Sequence, residues 1–172
     1  ALRRRGRPPG VTTAHRDTRT ALIWHGTAVL TEQGFAGTGI EPLLKQVGVP
    51  KGSFYHYFPS KEAFGYAVLD HYAAYFARKL ERWLEDEHRP PLERLAACIA
   101  DASAGMARHD FRRGCLVGNL GQELGAAHDG FRERLKAILG DWQDRVRRCL
   151  EAARARGDLA PAADCRAWAE FF

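Results

Sequence analysis

Apolar residues recur along this chain with helical spacing, most sharply in its first third. Ile40, Leu43, Leu44 and Val47 fall at i, i+3, i+4 and i+7, the apolar stripe of a short helix. Gly48 ends that helix and Val49 packs the corner. A second helix of barely two turns begins around Lys51, with Phe54 and Phe58, four residues apart, turned to the core. Two short helices joined by a tight glycine-containing turn form a helix-turn-helix, and the second helix is the one that enters a DNA major groove. Ser53, Tyr55, His56 and Tyr57 occupy its other sides, a set of small, aromatic and hydrogen-bonding groups suited to contact.

The flanking segments extend the helical pattern. A first long helix is predicted over 18–33, with Leu22, Gly26, Val29 and Leu30 inward and Trp24 and His25 structural or at the surface. Gly34 suits the left-handed residue after its end, and Phe35 folds back as an anchor. Thr38 is expected to cap the next helix and to meet a DNA phosphate with the same hydroxyl. Ser60 reads as the N-cap of a fourth helix running to about Glu87, rich in aromatics and stopped by Pro90-Pro91. That aromatic stripe is either core or part of a lever between two halves of the molecule. Further helices are predicted over 92–109, 115–124 and 131–156, the last ended by Gly157. Pro161 is expected to open a final helix. That helix reaches Phe171-Phe172 without a cap, which predicts a chain cut short inside it.

Charge changes this picture. The 172 residues carry a net charge of +5. Residues 1–60 hold eight Lys/Arg against three Asp/Glu, so the whole excess sits with the helix-turn-helix and the remainder is balanced. A polyanion partner for the first part is the natural consequence. Residues 1–13, with Arg3, Arg4, Arg5 and Arg7, lack apolar periodicity; they are either a solvated tail or an arm that orders in the minor groove. Cys98, Cys115, Cys149 and Cys165 form no Cys-x-x-Cys pair, which predicts reduced thiols and a cytoplasmic protein. No apolar run is long enough for a membrane span.

Gly34-Phe35, Thr38-Gly39-Ile40, the run Val49 to Phe58 and Ser60-Lys61-Glu62 together resemble the TetR family of one-component transcriptional regulators. The resemblance covers the first third of the chain and rests on several motifs at fixed spacing. The segment from Gly105 to Gly125 is similar to the acrylate-utilisation regulators of that family. The resemblance implies a homodimeric repressor that holds double-stranded operator DNA and leaves it when a small effector binds, the effector being acrylate or a similar unsaturated carboxylate. It also implies that the last two helices pair with those of a second subunit.

Cys115 follows Arg112-Arg113-Gly114 and opens a helix. A thiol in that position is either a small structural residue or a nucleophile assisted by the helix dipole and the arginines. Asn119, four residues on, is expected on the same face, so that both point into any cavity there. Arg112 and Arg113 are the candidate clamp for a carboxylate, with Tyr72, Phe76 and Trp142 against its apolar end. A cysteine switch that adds covalently to electrophiles is the sharper alternative to reversible binding. Catalysis would use Cys115 with His109 or His128, but no third orienting group, phosphate loop or cofactor fingerprint accompanies them. Cysteines and histidines are too scattered for a zinc site, and no cofactor or metal is expected.

The expected fold is all-α: a basic arm (1–13), a three-helix DNA-binding head (14–59) and a helical ligand-binding and dimerisation body (60–172). The DNA-facing residues are the four arm arginines with Thr38, Lys51, Gly52, Ser53, Tyr55, His56, Tyr57 and Lys61. The effector-facing residues are Tyr72, Phe76, Arg112, Arg113, Cys115, Asn119 and Trp142.

Overall fold

The computed structural model describes residues 13–172, with side chains from Asp17 onward, so the arm and its arginines lie outside the described residues. Among those residues the chain is all helix, without a strand: α1 (Thr13–Gln33), α2 (Ile40–Val47), a 3-10 turn (Lys51–Ser53), α3 (Phe54–Tyr57), α4 (Lys61–Leu84), α5 (Pro91–Ala107), α6 (Leu116–Leu124), α7 (Asp129–Arg156) and α8 (Cys165–Phe171).

The short helices take their shape from a few residues. Gly48 adopts φ 70° after α2, and its N–H and that of Val49 close on Lys45 and Leu44 carbonyls at 3.3 and 2.9 Å. The second helix of the pair begins as a 3-10 turn and becomes α-helical only at Phe54. Phe54 and Phe58 are fully buried there and pack in a triangle with Phe64 of α4, ring centroids 5.1–5.6 Å apart. Ser60 caps α4, its Oγ accepting the Ala63 N–H at 3.0 Å.

One core joins Leu22 and Leu30 of α1, Leu43 and Leu44 of α2 and the Phe54–Phe58 pair to Val68, Leu116, Leu120 and Phe131, so it crosses the expected boundary at residues 59 and 60 without a break. A second core fills the far end, where Leu80, Leu84, Cys98, Val146, Cys149 and Cys165 meet. Gly65 lets α4 approach closely: a Cβ there would lie 2.6 Å from the Phe35 ring and 2.9 Å from Phe131.

Four sequence expectations are corrected. Helix α4 ends at Leu84, before Glu87, and Pro90-Pro91 do not stop it; Pro91 is the first residue of α5, where a missing N–H costs nothing. Pro161 does not open α8, which starts at Cys165 under an Asp164 carboxylate accepting the Ala167 N–H at 3.0 Å. Cys115 is the N-cap of α6 rather than its first residue. Thr38 does not cap α2: Gly39 holds that position, and the Thr38 hydroxyl donates to the Gly34 carbonyl at 2.6 Å. No helix among the described residues is long and apolar enough to cross a membrane.

Candidate functional site

The head presents a small exposed face around α3. Tyr55 is 63% exposed and His56 is exposed, while burial of Phe54 and Phe58 on the opposite side fixes which way they point. Lys51 and Gly52 are exposed and Ser53 is half-buried. Tyr57 is half-buried and packs partly on the core, so it is less available than the spacing suggests. Lys51 pairs with Glu41, both well exposed, and the bond to that carboxylate pushes the lysine's pKa up. Lys61 sits over the Phe35 ring at 4.7 Å and Arg19 over Phe58 at 5.0 Å. Thr38 leaves the DNA-facing set: it is 3% exposed and its hydroxyl is committed to Gly34.

Behind the head lies a cavity of about 440 Å³, bounded by α1, α4, α5 and the segment 108–115. Trp24, Thr27, Ala28 and Thr31 line it from α1, and His71, Tyr72, Tyr75, Phe76 and Lys79 from α4. Ala102, Gly105 and Met106 of α5 and then Arg108, His109, Arg113, Gly114 and Cys115 complete the wall. Three cations, Lys79, Arg108 and Arg113, are in this lining, and among the described residues no carboxylate is. The Thr27 and Thr31 hydroxyls are used within α1, donating to the Ile23 and Thr27 carbonyls at 2.9 and 2.6 Å.

Two cations of the wall are held by carboxylates outside it. Lys79 Nζ lies 2.6 Å from Asp101, both about one-fifth exposed, and this bond holds the Asp101 carboxyl below its usual range. Arg113 Nε donates to Glu32 of α1 at 2.7 Å and lowers that carboxyl likewise. The Tyr72 phenol lies beside the Cys115 thiol; burial first, and then that thiol, push it well above the ordinary tyrosine range. The wall turns through Asp110 and Phe111 at φ 50° and 56°, a left-handed pair that costs on the order of 1–2 kcal/mol per residue.

Of the effector-facing residues expected from sequence, the structure brings Tyr72, Phe76, Arg113 and Cys115 together around this cavity. Three others fall elsewhere. Arg112 is exposed and does not line the cavity. Trp142 packs on Phe76 at 4.5 Å and belongs to both cores. Asn119 turns away from Cys115 and donates to the Thr31 carbonyl at 3.0 Å, in a polar surface groove shared with Glu32, Gln122 and Glu123. The four-residue rule fails because Cys115 has extended backbone (φ −84°, ψ 118°) and stands outside the helix. Sequence reasoning missed Trp24, His71, Tyr75 and Lys79. The signal for the last was present: Tyr72, Tyr75, Phe76 and Lys79 repeat i, i+3, i+4, i+7 along one face.

Helix α6 adds polar contacts between cavity and head to the apolar ones of α1 and α4, which reach both. Its N-cap Cys115 touches Tyr72, and at its other end the Glu123 carboxylate accepts the Phe35 and Ala36 N–H groups at 2.6 and 2.5 Å. Those amides form the turn between α1 and α2. No cluster of three or more His, Cys, Asp or Glu suited to a metal occurs among the described residues.

Comparison with known proteins places the two halves separately. Residues 23–65 match the tetR family of bacterial regulatory proteins, and residues 91–172 match the tetracyclin repressor-like C-terminal domain. The chain is 47% identical over 172 residues to transcriptional regulator AcuR of Cereibacter sphaeroides, covering 98% of this chain and 77% of that protein. It is 36% identical over 150 residues to the HTH-type transcriptional repressor DhaR of a Mycobacterium species, covering 83% and 72%. Among solved structures, regulatory protein TetR from Rhodobacter sphaeroides superposes with a TM-score of 0.86 at 47% identity, covering 90% of this chain and 82% of that one. The reduced form of Escherichia coli NemR gives 0.78 at 30%, covering 90% and 81%.

Proposed function

The chain belongs to the TetR family of helix-turn-helix transcriptional regulators, and from that premise we propose that it is a homodimeric repressor released from operator DNA by a small organic anion. One observation carries the effector's charge: the cavity wall holds Lys79, Arg108 and Arg113 and, among described residues, no acid. An anion entering such a site can share Lys79 and Arg113 with Asp101 and Glu32, which stand outside the lining, whereas a cation finds no carboxylate in the wall. The similarity of Gly105–Gly125 to acrylate-utilisation regulators supports an unsaturated carboxylate. On the DNA side, Lys51, Gly52, Ser53, Tyr55, His56, Tyr57, Lys61 and the arm arginines are the proposed contacts, with Tyr55 and His56 best exposed for base edges.

A second reading is favoured by Cys115, the exposed one of the four cysteines, which also lines the cavity. Its sulfur could add to the β-carbon of an unsaturated acid: a C–S bond forms, the C=C π bond breaks and the thiol proton ends on the α-carbon.

Fluorescence anisotropy of a labelled operator, titrated with small carboxylates, tests the proposal. Release by an acid with no change in the intact protein mass is the expected result, and Cys115→Ser is expected to bind operator while responding weakly. If no acid releases the operator, the proposal fails. Release accompanied by an adduct on Cys115 replaces it with the covalent reading.

A further inference from the structure

The cavity is too long and too aromatic for a three-carbon acid alone. Tyr72 and Lys79 both line it from α4, seven residues apart on one face, which separates them by about 10 Å along the helix axis. At the Tyr72 end the phenol meets the Cys115 thiol; at the Lys79 end the ammonium is pinned by Asp101 at 2.6 Å. Between them the α4 wall is Tyr75 and Phe76, and Trp24 of α1 stands edge-on to His71 at 5.4 Å, beside Tyr72. The volume of about 440 Å³ has room for on the order of fifteen waters at about 30 Å³ each, several times what a small acid displaces. It falls inside the range of about 300–1,000 Å³ typical of sites for drug-sized ligands.

Resting on the anionic-effector reading above, the geometry points to an aryl-bearing carboxylate as the preferred ligand class, its acid group held by Lys79 and its flat body lying along Tyr75 and Phe76 toward Tyr72. Lys79 is the specificity-determining residue. Asp101 occupies only part of its three N–H donors and fixes its position, so a carboxylate can share the ammonium without displacing that partner. The aromatic walls supply what acrylate cannot use, burial of a ring.

Calorimetry on the full chain with cinnamate, acrylate and methyl cinnamate tests this. Cinnamate is expected to bind on the order of thirtyfold more tightly than acrylate, from burial of its ring. Lys79→Met is expected to lose roughly tenfold or more toward cinnamate and nothing toward the uncharged ester. Lys79→Arg should retain most of the affinity, and Asp101→Asn, which removes the nearby negative charge while leaving Lys79 an amide oxygen to hold it in position, should raise it. These two variants decide the matter if Lys79→Met does not fold. Acrylate binding as tightly as cinnamate, no binding by either acid, or wild-type cinnamate affinity in Lys79→Met overturns the assignment. Operator release separates this from the repressor reading. Cinnamate bound through Lys79 without release sinks the repressor reading alone. Release by acrylate with an unaltered midpoint in Lys79→Met sinks the Lys79 assignment alone.

Discussion

Replacing Glu123 by Gln tests whether α6 grips the head. In the wild type the carboxylate accepts two backbone N–H groups, from Phe35 at 2.6 Å and Ala36 at 2.5 Å. Gln has the same shape but one acceptor, so its amide nitrogen must face an N–H, donor against donor. Hydrogen bonds to charged groups contribute about 1.5–3 kcal/mol each. One is lost outright and the other becomes neutral, while Ala36 is exposed and regains water. The expected cost is therefore about 2 kcal/mol, which for a chain of this size lowers Tm by roughly 4–8 °C. Chemical denaturation at fixed protomer concentration measures it, because any dimerisation adds a mass-action term. Glu133→Gln is the control: Glu133 is 69% exposed and pairs with Lys136 at 3.5 Å, a surface contact that contributes little. Operator affinity is expected to fall roughly three- to tenfold as well, since a head freed from α6 must be re-ordered on DNA. Stability within about 0.5 kcal/mol of wild type and unchanged operator affinity would refute the clamp.

Two further outcomes follow from the head and the cavity. Tyr55→Ala is expected to weaken operator binding by about 1–3 kcal/mol in fluorescence anisotropy while leaving Tm unchanged, because the ring is 63% exposed and touches the core only edge-on at Phe54; native affinity would remove it from the DNA face. Tyr72, whose folded-state pKa is raised above the ordinary 10.0, favours the native state through its neutral form, so this stabilisation is complete below pH 10 and is lost as pH rises through the folded value. Its phenolate absorbance is expected to develop above pH 10, and Tyr72→Phe to delete that step; a Tyr72→Phe titration identical to wild type would contradict the raised value.

Local chemistry was readable in the chain, and long-range pairing was not. The 40–43–44–47 stripe, the Gly34, Gly48 and Gly157 stops and the Ser60 cap depend on neighbours within seven residues: the stripe packs on the core, the glycines have φ between 70° and 86°, and the cap bond is 3.0 Å. Pro90-Pro91 misled because a proline that cannot continue one helix is equally suited to begin the next. The cavity was only half visible for a different reason. Arg113 meets Glu32 across 81 residues, Glu123 meets Phe35 across 88, and nothing local encodes either register. Even so, the cation side of the wall was approached through Arg113, while Lys79 went unread because an aromatic stripe ending in lysine looks like an ordinary core face with a solvated edge.

The placement of α6 sets how much an effector has to do. Its nine residues make a rigid rod of roughly 13 Å, and Cys115 at one end and Glu123 near the other face different parts of the molecule. Asn119, in between, holds the Thr31 carbonyl at 3.0 Å, and Arg113 just ahead of the rod holds Glu32 at 2.7 Å. The last turns of α1 and the turn after it are thus bound at three points to the segment that walls the cavity. A ligand that shifts Tyr72 or the Asp110–Phe111 turn loads all three together. Moving a two-state equilibrium from one extreme to the other takes about 5.5 kcal/mol of differential affinity. The Glu123 clamp, at about 2 kcal/mol by the reckoning above, is too small to be the whole barrier and too large to be irrelevant. Breaking it alone should therefore leave a repressor that still responds, with its release midpoint moved to lower effector concentration. A Glu123→Gln protein that binds effector normally but has an unmoved midpoint would show that the head is held by its apolar core and not by α6.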